Sequence, residues 1–356
     1  MRKKTVSPAR GRRPLGVGLV GTGDVARAHA SNFSKIGGCE VVAVLSREKE
    51  RARRRIDELG LARAEPYGDL SAFLAHGGLD VVVVCSPHPN HPAETIAAAR
   101  AGKHVVIEKP VALDRASLGR MLAAVKRAGV LTSVCFELRW IGLIRNVRAL
   151  VAKGALGEVF HAACGYHHGI GPWIPQWSWN VKKRMAGSAL LTAGCHALDG
   201  LLFLVGRRVV EVAAMSGKSR SNPLRYEYDP NVVALLRFEG GALGEVAASI
   251  ECRQPYLFPL LVQGTKGTVW NDRFATTEWP GLKGWAHLPA DCPESGDVED
   301  HPYLGQLREF VECIRTGRRP SNDIAACAHV HDVMFAVEDA IREKKTVRVA
   351  RTAARS

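Results

Sequence analysis

The segment Gly21-Thr22-Gly23-Asp24-Val25-Ala26 has the residue types and spacing to hold a pyrophosphate. Gly21 permits a tight turn, and Gly23 removes a side chain where backbone must approach phosphate. Ala26 lets a helix lie close on a strand, and a helix opening at Asp24 aims its first N–H groups at the anion. An acid for a ribose 2′-hydroxyl is expected about 20 residues further on. Ser46-Arg47 stands there instead. A hydroxyl beside a guanidinium suits a 2′-phosphate, so NADP is expected in preference to NAD. The alternative is a solvated Arg47, with Glu48 taking the ribose.

Two more groups follow short apolar runs. Ser86-Pro87 is followed by His91, and Glu108-Lys109-Pro110 closes the run 105–107. Strand ends of this kind are where open α/β sheets place ligands. A Lys109 ammonium in a cleft polarises an oxygen, and desolvation is expected to lower its pKa. His91 serves equally well as a packing or capping residue. Gly194-Cys195-His196-Ala197-Leu198-Asp199 puts Thr192 four residues before His196 and Asp199 three after it, neighbours on a helix face. Tyr166-His167-His168 leads into Trp173, Trp177 and Trp179 among glycines and prolines. This stretch reads as a loop whose flat apolar faces and N–H donors suit a sugar or polyol, or else as a loop packed on its own aromatics. His167-His168 lacks a second cluster at ligand spacing, so no metal is expected.

These groups need a scaffold. Apolar runs at 17–20, 41–45, 81–85, 105–107 and 131–135 alternate with helical patterns at 25–36, 48–59, 93–101 and 113–128. Short buried strands between helices imply a doubly wound parallel sheet, a Rossmann-type α/β domain over residues 14–136. Longer strands follow at 158–166, 209–215, 232–238, 243–250 and 260–263. Glu239-Gly240-Gly241 and Gly264-Thr265-Lys266-Gly267 are turns that favour antiparallel pairing. With helices near 190–204, 304–316 and 324–343, residues 137–356 read as a C-terminal α+β domain.

The 356 residues carry 49 Lys and Arg against 35 Asp and Glu, a net charge of +14. Residues 1–13 hold six of the bases and no acid, which reads as a basic disordered tail. No nucleic-acid motif accompanies the charge, so no nucleic-acid partner is expected. No apolar run approaches the roughly 18 residues of a membrane span, and the basic N-terminus lacks an apolar leader. A soluble, cytoplasmic protein is therefore expected. The nine cysteines form no CxxC pair and read as reduced, packed thiols, Cys195 among them.

The chain resembles Gfo/Idh/MocA-family oxidoreductases, the group of glucose–fructose oxidoreductase and inositol dehydrogenase, over nearly all its length after residue 14. The resemblance rests on the glycine fingerprint, Ser86-Pro87 with His91, Ala101-Gly102-Lys103-His104 and Glu108-Lys109-Pro110. It continues through Gly154-Ala155-Leu156-Gly157, His196-Ala197-Leu198-Asp199 and Gly264-Thr265-Lys266-Gly267. It implies a large, mostly antiparallel second sheet that binds substrate and joins subunits into a homodimer or homotetramer. It places Gly21, Gly23, Asp24, Val25, Ala26, Ser46, Arg47, Ser86, Pro87, His91, Glu108 and Lys109 at the cofactor. Lys109 and His196 become the catalytic pair, with Tyr166, Trp173, Trp177, Trp179, Thr192 and Asp199 beside the substrate. Many members carry an aspartate where Thr192 stands, so the Lys-Asp-His set is incomplete, and Asp199 is the remaining residue to orient His196. The implied activity is NAD(P)-dependent hydride transfer at a carbinol or carbonyl carbon of a sugar or polyol. Glycoside cleavage through transient oxidation by a tightly bound NAD, and a non-catalytic cofactor-binding regulator, stay open as alternatives.

Overall fold

The computed structural model describes residues 13–288 and 301–354; residues 1–12 of the expected tail and Cys292 lie outside them. Six parallel strands form the first sheet: β1 (Leu15–Val20), β2 (Cys39–Leu45), β3 (Glu65–Tyr67), β4 (Val81–Val84), β5 (His104–Ile107) and β6 (Thr132–Val134). Their order, β3-β2-β1-β4-β5-β6, reverses direction between β1 and β4. That reversal opens a crevice at the carboxyl ends of the strands. The four valines of β4 are all fully buried, as a strand covered on both faces requires. Helices Asp24–Ser34, Lys49–Glu58, His91–Arg100 and Arg115–Ala128 supply the cover.

The second sheet contains β7 (Val159–His167), β8 (Val209–Gly217), β9 (Asn231–Phe238), β10 (Leu243–Ser249), β11 (Leu260–Gly264), β12 (Gly267–Trp270), β13 (Arg273–Thr276), β14 (Ala286–His287) and β15 (Val347–Arg348). The order is β14-β13-β12-β11-β7-β10-β9-β8-β15. Only the β7–β10 pair is parallel; every other pairing in this sheet is antiparallel. Strand β9 shows why one face is covered: Val232, Ala234, Leu236 and Phe238 point inward and are buried, and helices Cys195–Val205 and Ile324–Glu343 pack on that side. The alternate residues Val233 and Leu235 are 50% and 59% exposed. Phe160 and Leu243 add to the same uncovered apolar set.

Several sequence expectations need correction. Arg13 belongs to the ordered chain, because its guanidinium pairs with Asp80 at 2.7 Å. The boundary at 136 does not divide the packing. Helix Tyr303–Thr316 returns to the first sheet, burying Tyr303, Leu307, Phe310 and Val311 with Val17, Leu19 and Phe33. The segment Lys183–Val205 does have the length and apolar composition of a membrane span, contrary to the expectation that none exists. Its most apolar window is 94% buried inside the protein, where it forms the floor of the second domain. Trp177–Asn180 forms a helical turn rather than loop, since proline and glycine stop short of it.

Candidate active site

The glycine turn joins β1 to helix Asp24–Ser34 at the sheet's reversal point. Gly21 has φ +121°, and a Cβ there would lie 2.7 Å from the Cys85 carbonyl oxygen. Gly23 is different: a Cβ there would meet nothing within 4 Å. Packing does not demand glycine at that position, but a pyrophosphate brought against the backbone would. No side chain caps the helix start at Gly23, so its first N–H groups stay available to an anion. Asp24 and Val25 are half-buried in the first turn, and Ala26 is fully buried against the sheet. Arg55, which sequence reading passed over, donates from Nε and Nη2 to the Thr22 carbonyl at 3.0 and 2.7 Å, holding the turn from below. At the end of β2, Ser46 is half-buried and Arg47 is exposed beside the crevice. These residues fit a dinucleotide.

The remaining cofactor candidates divide. Ser86 Oγ donates to Glu94 at 2.6 Å, and burial pushes that carboxyl up to about 7. Pro87 precedes the helical turn His88–Asn90. His91 is buried, with Nδ1 2.8 Å from the Pro110 carbonyl and Nε2 2.8 Å from the Ser86 carbonyl. It therefore clamps two strand-end loops together, and the expected contact to cofactor gives way to this packing role. Glu108 is likewise occupied. Its Oε1 meets His29 Nε2 at 2.9 Å, and its Oε2 accepts from the Lys109 amide at 3.3 Å. Burial pushes the Glu108 carboxyl up, yet His29 and Lys109 more than offset this and leave it below its ordinary value. The side chain thus props the Glu-Lys-Pro turn instead of reaching into the crevice.

Lys109 follows β5 and precedes a cis Pro110. Its Nζ donates to the Thr192 carbonyl at 3.2 Å. Burial opposes its charge, but Cys195, Tyr166, Glu108 and Glu137 hold it above the usual lysine range. The expected fall on desolvation is overturned by these neighbours, and Lys109 remains an ammonium.

Residues Leu190–Gly194 form a π-helical turn leading into helix Cys195–Val205. The extra residue per turn breaks the i, i+4 register on which Thr192 and His196 were paired. The Thr192 hydroxyl accepts from the Asn180 amide at 2.7 Å, and only its carbonyl meets Lys109. His196 is 2% exposed and stacks on Tyr166, centroids 5.8 Å apart at 21°. Burial, then Lys109 and His301, push its pKa well down, so the imidazole is neutral. Asp199 does not orient it. Arg139 donates from Nε to Asp199 Oδ2 at 2.7 Å and from Nη2 to Oδ1, because a carboxylate this deeply buried needs a full counter-charge.

Sequence reading missed Glu137, on the helical turn Glu137–Trp140 between the two sheets. Its Oε1 lies 3.7 Å from His196 Nε2 and 4.0 Å from His301 Nε2. His168 joins the same wall, edge-on to Tyr166 and Tyr256. The tryptophans do not assemble into one platform. Trp179 stands edge-on to His88 at 5.0 Å, and it is His88 that feels the Lys109 charge, whereas Trp177 packs on Tyr226. Trp173 is exposed, under the Arg253 guanidinium. Burial pushes the Cys195 thiol up to about 12, which suits a packed thiol and no nucleophile.

Known proteins share both halves of this arrangement. Residues 15–136 match the oxidoreductase family with an NAD-binding Rossmann fold, and residues 144–270 match the GFO/IDH/MocA C-terminal domain. The chain is 25% identical to a myo-inositol 2-dehydrogenase of Thermotoga maritima, over 94% of this chain and 98% of that protein. It is 30% identical to a D-apiose dehydrogenase of Paraburkholderia graminis, over 85% of this chain and 81% of that protein. Among solved structures, an oxidoreductase domain protein of Kribbella flavida superposes with a TM-score of 0.85 at 26% identity, covering 96% of this chain and 100% of that one. With the glycine turn, the Glu-Lys-Pro turn and the mixed second sheet all in place, the chain belongs to the Gfo/Idh/MocA family of NAD-binding oxidoreductases.

Proposed function

We propose that this oxidoreductase interconverts a secondary alcohol and a ketone on a sugar or polyol, with NADP(H) preferred over NAD(H). The observation that carries the reading is the meeting of Lys109, from the end of β5, with the turn that presents His196 from the second domain. A bound nicotinamide supplies the hydride acceptor or donor. The chain's own groups handle the oxygen and its proton. The Lys109 ammonium donates to the substrate oxygen and stabilises negative charge there. The neutral His196 imidazole accepts the hydroxyl proton during oxidation and returns it during reduction. Tyr166, His168 and Trp179 offer flat faces and polar edges to a polyhydroxylated ring. The relatives named as inositol and apiose dehydrogenases support this substrate class.

The NADP preference rests on Ser46 and the exposed Arg47 at the end of β2. The uncovered apolar face holding Phe160, Val233, Leu235 and Leu243 supports a homodimer or homotetramer built through the second sheet. The test is a panel of sugars and polyols with each nicotinamide, read by absorbance of the reduced cofactor. Turnover confined to free sugars or polyols supports the reading. Cleavage of a glycoside without net cofactor reduction would replace it.

A further inference from the structure

We propose that Glu137 is the carboxyl partner of His196, a positioning residue that supplies, once ionised, the negative charge which Thr192 does not bring to this site. The inference rests on the dehydrogenase reading above for its catalytic consequence, but its structural core is independent of substrate.

The geometry is specific. Glu137 is 1% exposed, and neither carboxylate oxygen has a hydrogen-bond partner on another of the described residues; the one hydrogen bond that favours its ionised form comes from its own backbone amide. A buried carboxyl without a partner on another residue is costly and calls for an account. The groups that face it come from every surrounding element. Lys109, Glu108 and Cys135 lie at the end of the first sheet, and Tyr303 opens the returning helix. Cys195, His196 and Asp199 come from the helix Cys195–Val205, and His301 from the segment before Tyr303. Asp199 is already neutralised by Arg139, and Glu108 is bonded to His29. Glu137 is thus the carboxyl left to answer His196. The Nε2–Oε1 separation of 3.7 Å is one small side-chain adjustment from a charge-assisted hydrogen bond.

The proton balance follows. Burial first, then Glu108, push the Glu137 carboxyl up to about 8, against the pull of Lys109. His196 is pushed down. Near neutrality the proton therefore resides on Glu137 and the His196 imidazole is neutral. With that proton lost, the couple is a carboxylate beside a neutral imidazole. During oxidation the substrate O–H bond breaks and its proton passes to the imidazole. A bound nicotinamide would take up the C–H electron pair as hydride as the carbonyl forms. The imidazolium then faces an anion instead of Lys109 alone, which offsets the cost of placing a second cation in a buried cleft. Glu137 acts through His196 and, being fully enclosed, need not touch substrate.

The test uses the full chain with isotope-labelled histidine, followed by NMR between about pH 6 and 10 with and without NADP. The His196 ring nitrogens should shift through the couple's titration in the parent. In Glu137→Gln they should be flat over that range, and Glu137→Asp should retain a displaced shift. The same His196 curve in parent and Glu137→Gln overturns the proposal, as does a parent curve without any shift. The second reading is the pH profile of single-turnover oxidation with myo-inositol as probe. Glu137→Gln should transfer hydride about 100-fold more slowly and lose the rise toward alkaline pH. A parallel drop with the profile unchanged would make Glu137 merely structural and overturn the proposal. Absence of turnover by the parent across the whole sugar panel defeats the dehydrogenase reading while the NMR comparison still decides the pairing.

Discussion

Replacing Arg139 by methionine should expose what the buried ion pair with Asp199 contributes to the second domain. Asp199 is 2% exposed, and both of its oxygens receive hydrogen bonds from the Arg139 guanidinium. That guanidinium also lies over the Phe203 ring at 5.3 Å. Removing one partner of such a buried pair costs about 3–5 kcal/mol, because the remaining charge is left uncompensated. At about 2.1 cal/mol/K per residue, this corresponds to a fall in Tm of about 4–7 °C for a chain of this length unfolding as one unit. The deficit should depend on pH with a definite sign. Burial already holds the Asp199 carboxyl above its ordinary value despite Arg139. Without Arg139 the folded-state pKa rises further above the unfolded value. The penalty is then fully present above that folded pKa and is relieved as pH falls through it. Calorimetry of Arg139→Met against parent should therefore show a gap that narrows on acidification. The double variant Arg139→Met/Asp199→Asn should recover most of the loss, since neutral partners leave no buried charge. A loss below about 1 kcal/mol for the single variant, the range of a solvated pair, would refute the argument.

Arg47→Ala should weaken NADPH by about tenfold or more and leave NADH within about twofold, measured by nicotinamide fluorescence; equal losses for both would remove the 2′-phosphate contact. Lys109→Met should lower turnover by about 10²–10⁴-fold with little change in cofactor affinity, and parent-like hydride transfer in single-turnover experiments would place the chemistry elsewhere. Leu235→Lys, on the exposed face of β9, should reduce the assembled species seen by light scattering at micromolar protein, and an unchanged mass would locate the interface on another surface.

The scaffold was legible because its signals are local. A run such as Val81–Val84 can be buried on both faces only in a covered parallel sheet, and the glycine turn marks where the first helix begins. The second sheet was readable as strands through apolar runs such as 232–238 and the glycine turns that follow them. The short strands β13 and β14 near the sheet's edge, of four and two residues, carry too little pattern to be read. The return of helix Tyr303–Thr316 to the first core was hidden as well. Its apolar stripe says that it packs, but nothing in that stripe says on which sheet.

The site was legible where a motif names a residue and obscure where only three-dimensional neighbours do. Lys109 and His196 sit in recognisable strings. Glu137 sits in Phe136-Glu137-Leu138-Arg139, where a charged residue followed by arginine looks like an ordinary surface pair. Its burial follows from a helical turn wedged between the sheets, a fact of packing with no local signature. The same limit explains Asp199. Spacing placed it near His196, but a helix neighbour at i+3 competes with any cation that the rest of the chain brings up, and here Arg139 wins. Thr192 went astray by one residue of π-helical widening, which no single-sequence period can show. The two carboxylates therefore took the opposite roles to those their positions suggested. The one on the His196 helix is neutralised by Arg139, and the one at the junction is left without a side-chain partner and faces the imidazole. Charge compensation by all neighbours decides which acid is left to face the histidine; sequence distance from it does not.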